Sequence, residues 1–190
     1  MDKIYTLIRR ITLAPVLASF SLIMMAILRT DIFTSPLHFV YILLFLGILP
    51  LFAYPLQKYT PHFKDTGRDG QRTLAMIFAV SGYFCCLFCN LIFGASEGMW
   101  IICLEYLISG GLILVFNKLL HVKVSAHGCG SAGPIFLLLY FGLFVPAAVM
   151  GIVTILAYVA SVKAKHHTFP QLVGGSAISI CTLFAIAFLL

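Results

Sequence analysis

Long apolar runs separated by short polar breaks set the pattern of this chain. A membrane-crossing helix needs about 20 predominantly apolar residues. Runs of that kind fall near 8–28, 36–56, 73–94, 99–119, 128–143, 145–162 and 169–190. The stretch 128–162 decides the arrangement. As one helix its 35 residues would rise about 52 Å at 1.5 Å per residue, against a hydrocarbon core of about 30 Å. A turn between Gly142 and Pro146 divides it, because proline resists a helix interior and suits the first turn of the next helix. The pattern predicts an all-α, polytopic membrane helix bundle of six to seven transmembrane helices. It has no internal repeat, low-complexity segment or soluble domain. The longest polar stretch runs from Gln57 to Arg72, broken by Pro61, Gly67 and Gly70.

Composition sharpens this picture. Of the 190 residues, 62% are hydrophobic and 9% charged, where a soluble domain carries about 25% charged residues. Such a chain cannot cover itself with polar surface in water. Lys3, Arg9 and Arg10 precede an apolar run with no small-residue cleavage site after it, so the first span is expected to stay. The net charge of +6 favours an anionic partner or the anionic membrane surface; no nucleic acid is expected. With seven spans, one end of the bundle gathers Lys3, Arg9, Arg10, Lys58, Lys64, Arg68, Arg72, Lys118, Lys123, Lys163 and Lys165, and only Arg29 falls at the other. The positive-inside rule then turns that end to the cytoplasm, in an expected bacterial inner membrane. Cations placed by chemistry would confound the rule, but the two ends stay distinct either way.

The remaining polar residues have ordinary readings. Cys85, Cys86, Cys89, Cys103, Cys129 and Cys181 lie mostly in apolar runs and read as small buried hydrophobes. Cys85 and Cys89 share a helix face, with no nearby histidine or carboxylate to complete a metal site. Glu105 lies about 9 Å into its span, where it either snorkels to the surface or bonds a neighbouring span; Asn90 reads the same way. His62 and His121 are loop residues at the interface, His166 is a solvated neighbour, and His38 is interfacial at the opposite end.

Two stretches carry candidate chemistry. Lys123-Val-Ser125-Ala-His127 opens one small-residue run (Gly128, Gly130, Ser131, Ala132, Gly133). Lys163 and Lys165 precede His167-Thr-Phe-Pro-Gln171, which opens another (Gly174, Gly175, Ser176, Ala177, Ser179). Small residues let transmembrane helices approach closely, so the two histidines can be brought together. Dividing 128–162 puts both at one membrane face; a single span would separate them. Ordinary packing seams are the alternative for the glycines. For interfacial histidines, function is the default hypothesis.

These motifs resemble the type 2 phosphatidic acid phosphatase superfamily, as a diverged membrane branch. The resemblance covers residues 60–190, a phosphatase-like core behind accessory N-terminal spans in 1–56. It implies hydrolysis of a lipid phosphomonoester or diphosphate, with a lipid phosphate as substrate and no metal or cofactor. By resemblance, His167 is the nucleophile and His127 the general acid for the leaving alkoxide. Ser125, Lys123, Lys163 and Lys165 would hold phosphate oxygens, with Arg68 and Arg72 as the upstream cationic motif and Lys118 and Asn117 as further candidates. Arg68 and Arg72 also read as an interfacial helix start with Asp65 and Asp69 as i,i+3 partners. The sequence departs from the family at three positions. Ala126 replaces glycine in the Ser-x-His motif, Gln171 stands where the family has aspartate, and the family's arginine falls at Ser161. Gln171 can orient the nucleophile's ring but supplies no charge. Two rivals follow: a non-catalytic binder of anionic lipid on the same scaffold, and a small transporter with polar residues at mid-membrane on facing helices.

Overall fold

The computed structural model describes residue 8 and residues 11–165 and 167–190, the side chain of Arg68 excepted. Lys3, Arg9, Arg10 and His166 lie outside the described residues. Among the described residues, seven long helical segments follow one another: α1 (Ala14–Leu28), α2 (Pro36–Tyr59), α3 (Gly67–Phe93), α4 (Glu97–Leu119), α5 (Ala126–Tyr140), α6 (Phe144–Lys163) and α7 (Phe169–Leu189). The described residues contain no strand. Five segments, all but α1 and α5, are long and apolar enough to cross a bilayer. The protein is an all-α membrane protein.

The turn expected near Gly142 is present and has a physical cause. Gly142 adopts φ +75°, a left-handed conformation that glycine enters without steric cost. Its N–H donates to Leu139 O and the Leu143 N–H to Leu138 O, so two otherwise unbonded carbonyls at the end of α5 are satisfied in a Schellman arrangement. Pro146 then falls in the first turn of α6. Gly94, at φ +68°, ends α3 in the same way, with the Ala95 N–H donating to Asn90 O.

Two boundaries differ from the hydropathy reading. The first span was expected over 8–28; α1 runs Ala14–Leu28 with Pro15 in its first turn, and Ile8 and Ile11 ahead of it are helical as well. At 15 residues it rises about 22 Å, less than a full crossing. The second runs on to Tyr59 through two prolines. It widens into π-helical turns at Leu43–Ile48, just before Pro50, which has no N–H to donate back to Leu46; such local widening re-accommodates the ladder.

The core draws on all seven helices, with Leu22, Met25, Ile42, Leu46, Cys86, Met99, Ile102, Leu137, Leu138, Met150 and Leu183 among its buried side chains. The face towards lipid stays apolar: Phe88, Ile92, Ile152, Ile155, Phe184 and Phe188 are all exposed. Cys85 and Cys181 are exposed too, so the expectation of buried cysteines fails at these two positions and holds for Cys86, Cys103 and Cys129.

At the end away from the histidines the loops are tied by polar bonds. Arg29 donates to both carboxylate oxygens of Asp31 and to Phe141 O, linking the α1–α2 loop to the α5–α6 turn. His38, expected at the interface of this end, is buried there. Its Nε2 donates to Phe93 O at 3.3 Å, and its Nδ1 lies 2.6 Å from the Thr34 hydroxyl. Asn90 accepts from the Tyr41 hydroxyl and donates to Met99 O.

Candidate functional site

α5 and α7 pack closely along their length, and they run parallel. Glycine makes this possible. A Cβ on Gly175 would sit 2.1 Å from Ser125 O and 3.0 Å from Cys129 N, and one on Gly128 would sit 2.4 Å from Leu172 O. These neighbours are backbone and cannot turn aside. Further down, a Cβ on Gly133 would meet Ser179 and Glu105, and one on Gly130 would meet Ala14 of α1. The small-residue runs therefore serve three different neighbours.

Because the helices are parallel, their N-termini open at the same end. The backbone N–H of Ser125 donates to the backbone carbonyl of Gln171 at 3.0 Å. The Ser125–His127 turn and the His167–Gln171 turn are thus brought together. Ser125 is fully buried, and its Oγ accepts from the Gly128 N–H at 3.1 Å as the N-cap of α5. That bond uses a lone pair and leaves the hydroxyl hydrogen as a donor. The first turn of any helix presents N–H groups without intrahelical partners, which favours an anion there.

The mouth is recessed. Asn117, in the last turn of α4, donates through Nδ2 to Val124 O at 3.0 Å and accepts through Oδ1 from the Val124 N–H at 3.1 Å. This two-point clamp folds residues 120–124 back along α4, so α5 starts below the rim. The π-helical turn at Val115–Leu119 and the left-handed backbone of His121 (φ 54°) accommodate the fold-back. Asn117, a candidate for phosphate binding, is therefore engaged with the backbone. Lys118 beside it is exposed, as are Lys123, Lys163 and Lys165 around the rim.

Below the mouth lies a knot of hydroxyls that sequence reading missed. The Tyr158 hydroxyl, from α6, donates to Gly128 O at 3.1 Å and lies 2.6 Å from Ser176 Oγ of α7. Ser131 donates to His127 O at 2.7 Å. Three helices are joined directly under the two histidines. Ser131 and Ser176 stood out only as small residues, and nothing in the apolar run around Tyr158 distinguishes it from a lipid-facing tyrosine.

The departures from the family pattern take definite form. Gln171 Oε1 accepts from the Thr168 N–H at 3.2 Å, completing a capping box at the start of α7. That bond uses one lone pair of the amide oxygen, which was expected to orient the ring of His167. Ser161, where the family has arginine, is fully buried in α6. α3 packs on α2 and α4, and α4 stands between it and the α5–α7 pair. Arg72 is exposed at the α3 N-terminus, and the expected pairing with Asp69 is not formed.

Glu105 is buried, with 1% exposure, near the middle of the bundle. It does not snorkel: Ser179 of α7 donates to its Oε1. Ser109 lies one turn on along the same face. Among the described residues no cation pairs with it, and no group of three His, Cys, Asp or Glu side chains is arranged to hold a metal ion.

Comparison with protein-family models, curated proteins and solved structures returned no match.

Proposed function

We propose that this protein is a lipid phosphate phosphatase that hydrolyses a phosphomonoester or diphosphate on a membrane lipid through a phosphohistidine intermediate. The single observation that carries the reading is the main-chain bond from Ser125 to Gln171, which joins the two histidine turns at one recessed, lysine-rimmed mouth. The resemblance to the type 2 phosphatidic acid phosphatases supplies the roles. A ring nitrogen of His167 attacks phosphorus and the ester P–O bond breaks. His127 gives its proton to the departing alkoxide. Water then attacks the phosphohistidine, passing a proton to His127; the P–N bond breaks and phosphate leaves. The Ser125 hydroxyl, the first turn of α5 and Lys123, Lys163 and Lys165 oppose charge on the phosphoryl oxygens. The lipid tail stays in the bilayer while the headgroup enters the mouth. By the positive-inside rule this end faces the cytoplasm of a bacterial inner membrane.

The engagement of Gln171 in a cap, with Ser161 in place of an arginine, favours one second reading: a non-catalytic binder of anionic lipid at the same mouth. Phosphate release from a panel of lipid phosphates by the detergent-purified protein, with His167→Ala alongside, separates the two. The phosphatase reading expects release that vanishes in the variant and an acid-labile phosphoryl group on residue 167. Equal lipid binding by both proteins without release sinks it in favour of the binder. Within the phosphatase reading, His127→Ala should impair a lipid phosphomonoester more than a substrate with a very good leaving group.

A further inference from the structure

Lys58 and Lys64 lie at the end of α2 and in the loop that leads to α3. A cleft of about 380 Å³ opens there, lined by Tyr54, Gln57, Lys58, Lys64, Gly67 and Gln71. Among the described residues no acidic side chain lines it. Its walls are held in shape, because Gln57 Nε2 donates to both Phe63 O and Gly67 O and so fixes the connecting loop over the start of α3. Both ammonium groups remain available. Lys58 Nζ rests 4.6 Å from the centroid of the Tyr59 ring. Lys64 lies 3.9 Å from Asp65, both well exposed, a pairing worth little in water.

The surroundings indicate which anion fits. The cleft lies at the end of α2, a segment long and apolar enough to cross a bilayer, and so at the level where a lipid's headgroup joins its tails. Lysines at this depth attract anionic headgroups, and an aromatic such as Tyr59 is at home there.

We infer that this cleft binds the phosphodiester headgroup of an anionic diacyl lipid, between Lys58 and Lys64, with the acyl chains in the surrounding bilayer. The site is separate from His127 and His167 and does not rest on the phosphatase reading. A free phosphate offers the same oxygens without the tails.

The test is lipid titration of the full-length, delipidated protein in detergent, read as lipid adducts by native mass spectrometry. Dioleoylphosphatidylglycerol is the probe, because a phosphomonoesterase would leave its diester intact; dioleoylphosphatidylcholine is the control. Each lysine near the surface contributes about 1 kcal/mol to anionic-lipid binding, so Lys58→Gln/Lys64→Gln should weaken phosphatidylglycerol binding roughly tenfold or more and leave phosphatidylcholine unchanged. Lys58→Arg/Lys64→Arg keeps both charges and should bind within about twofold of the parent, which separates loss of charge from loss of fold. His127→Ala/His167→Ala should bind like the parent. Undiminished binding in the glutamine variant overturns the site, and binding lost only in the histidine variant moves the lipid to the other mouth. Displacement of the lipid by inorganic phosphate at equal concentration overturns the lipid assignment in favour of a free anion.

Discussion

The backbone N–H of Ser125 donates to the backbone carbonyl of Gln171 at 3.0 Å, joining the residue that caps α5 to the first turn of α7. A main-chain bond of this kind does not depend on a particular side chain at either position. It depends on how closely two helices approach, and that distance is set by Gly128 and Gly175. The chemistry proposed for His127 and His167 therefore rests on two residues that carry no functional group.

Gly175 gives the most direct test of this dependence. Gly175→Ala should destabilise the bundle by about 1–3 kcal/mol, the usual cost of overpacking, because the new methyl meets backbone at Ser125 O. Gly174→Ala, one residue away, meets only Val124 Cγ1 at 3.3 Å and should leave stability nearly unchanged. Thermal unfolding of both variants in one detergent decides this. Equal stability of the two would mean that α5 and α7 are not seated on each other as described.

Glu105 tests what a buried carboxyl contributes without a cation beside it. Its bond comes from the Ser179 hydroxyl, and the amide oxygen of glutamine can accept that bond equally well. Glu105→Gln should change stability by less than about 1 kcal/mol. Glu105→Ala should cost about 2–4 kcal/mol, from the cavity and the stranded Ser179 hydroxyl. Denaturant titration of the purified variants makes the comparison. A glutamine variant as unstable as the alanine one would show that the charge, and not the hydrogen bond, is what the bundle requires.

Much of this architecture was legible in the sequence because it follows from length and local pattern. The apolar run 128–162 was too long for one span, and Gly142 offered a left-handed helix end just before Pro146. Parity of the spans then placed His127 and His167 at one face. Gln171 was legible in principle as well: Thr168-Phe-Pro-Gln171 has the Thr-x-x-Gln spacing of a capping box, which the family comparison at that position obscured. What stayed hidden depends on which helices become neighbours. Nothing local to Arg72 says that α4 will stand between it and the α5–α7 pair. Nothing around Tyr158 says that its hydroxyl will reach Gly128 and Ser176. Asn117 reads as one more polar residue at a span end until residues 120–124 are folded back along it.

The loops opposite the histidines predict a pH dependence. Hydrogen bonds from Arg29, opposed by a smaller desolvation effect, hold the Asp31 carboxyl below its ordinary range, and the same contact raises Arg29. For a carboxyl depressed by folding, the stabilisation is fully present above the unfolded aspartate pKa and is lost as pH falls through the folded value. Asp31→Asn should therefore be less stable than the parent at neutral pH, with the difference closing in acid and shrinking in high salt, since the pair is exposed. Melting temperatures across pH for both proteins, at two salt concentrations, give the answer. A difference that persists unchanged into strong acid would assign the effect to something other than this ion pair.

Gln171 is where helix capping and the proposed chemistry compete. Its Oε1 reaches back to the Thr168 N–H, a contact that suits the length of Gln or Glu at this position of a capping box. Gln171→Asp introduces the residue found in the resembling family but is one methylene too short to close the box, so it should lower stability by about 0.5–1 kcal/mol. It also brings a carboxylate beside His167, which favours the cationic ring formed as phosphoryl transfer proceeds, and should preserve or raise turnover of a lipid phosphomonoester. Gln171→Glu keeps the reach of the cap and adds the same charge, so its stability should match the parent. Turnover and melting temperature of the pair separate the two roles. If Gln171→Asp loses turnover while remaining folded, and Gln171→Glu loses it equally, a negative charge at this position is harmful, and His167 is not oriented here as it is in the resembling family.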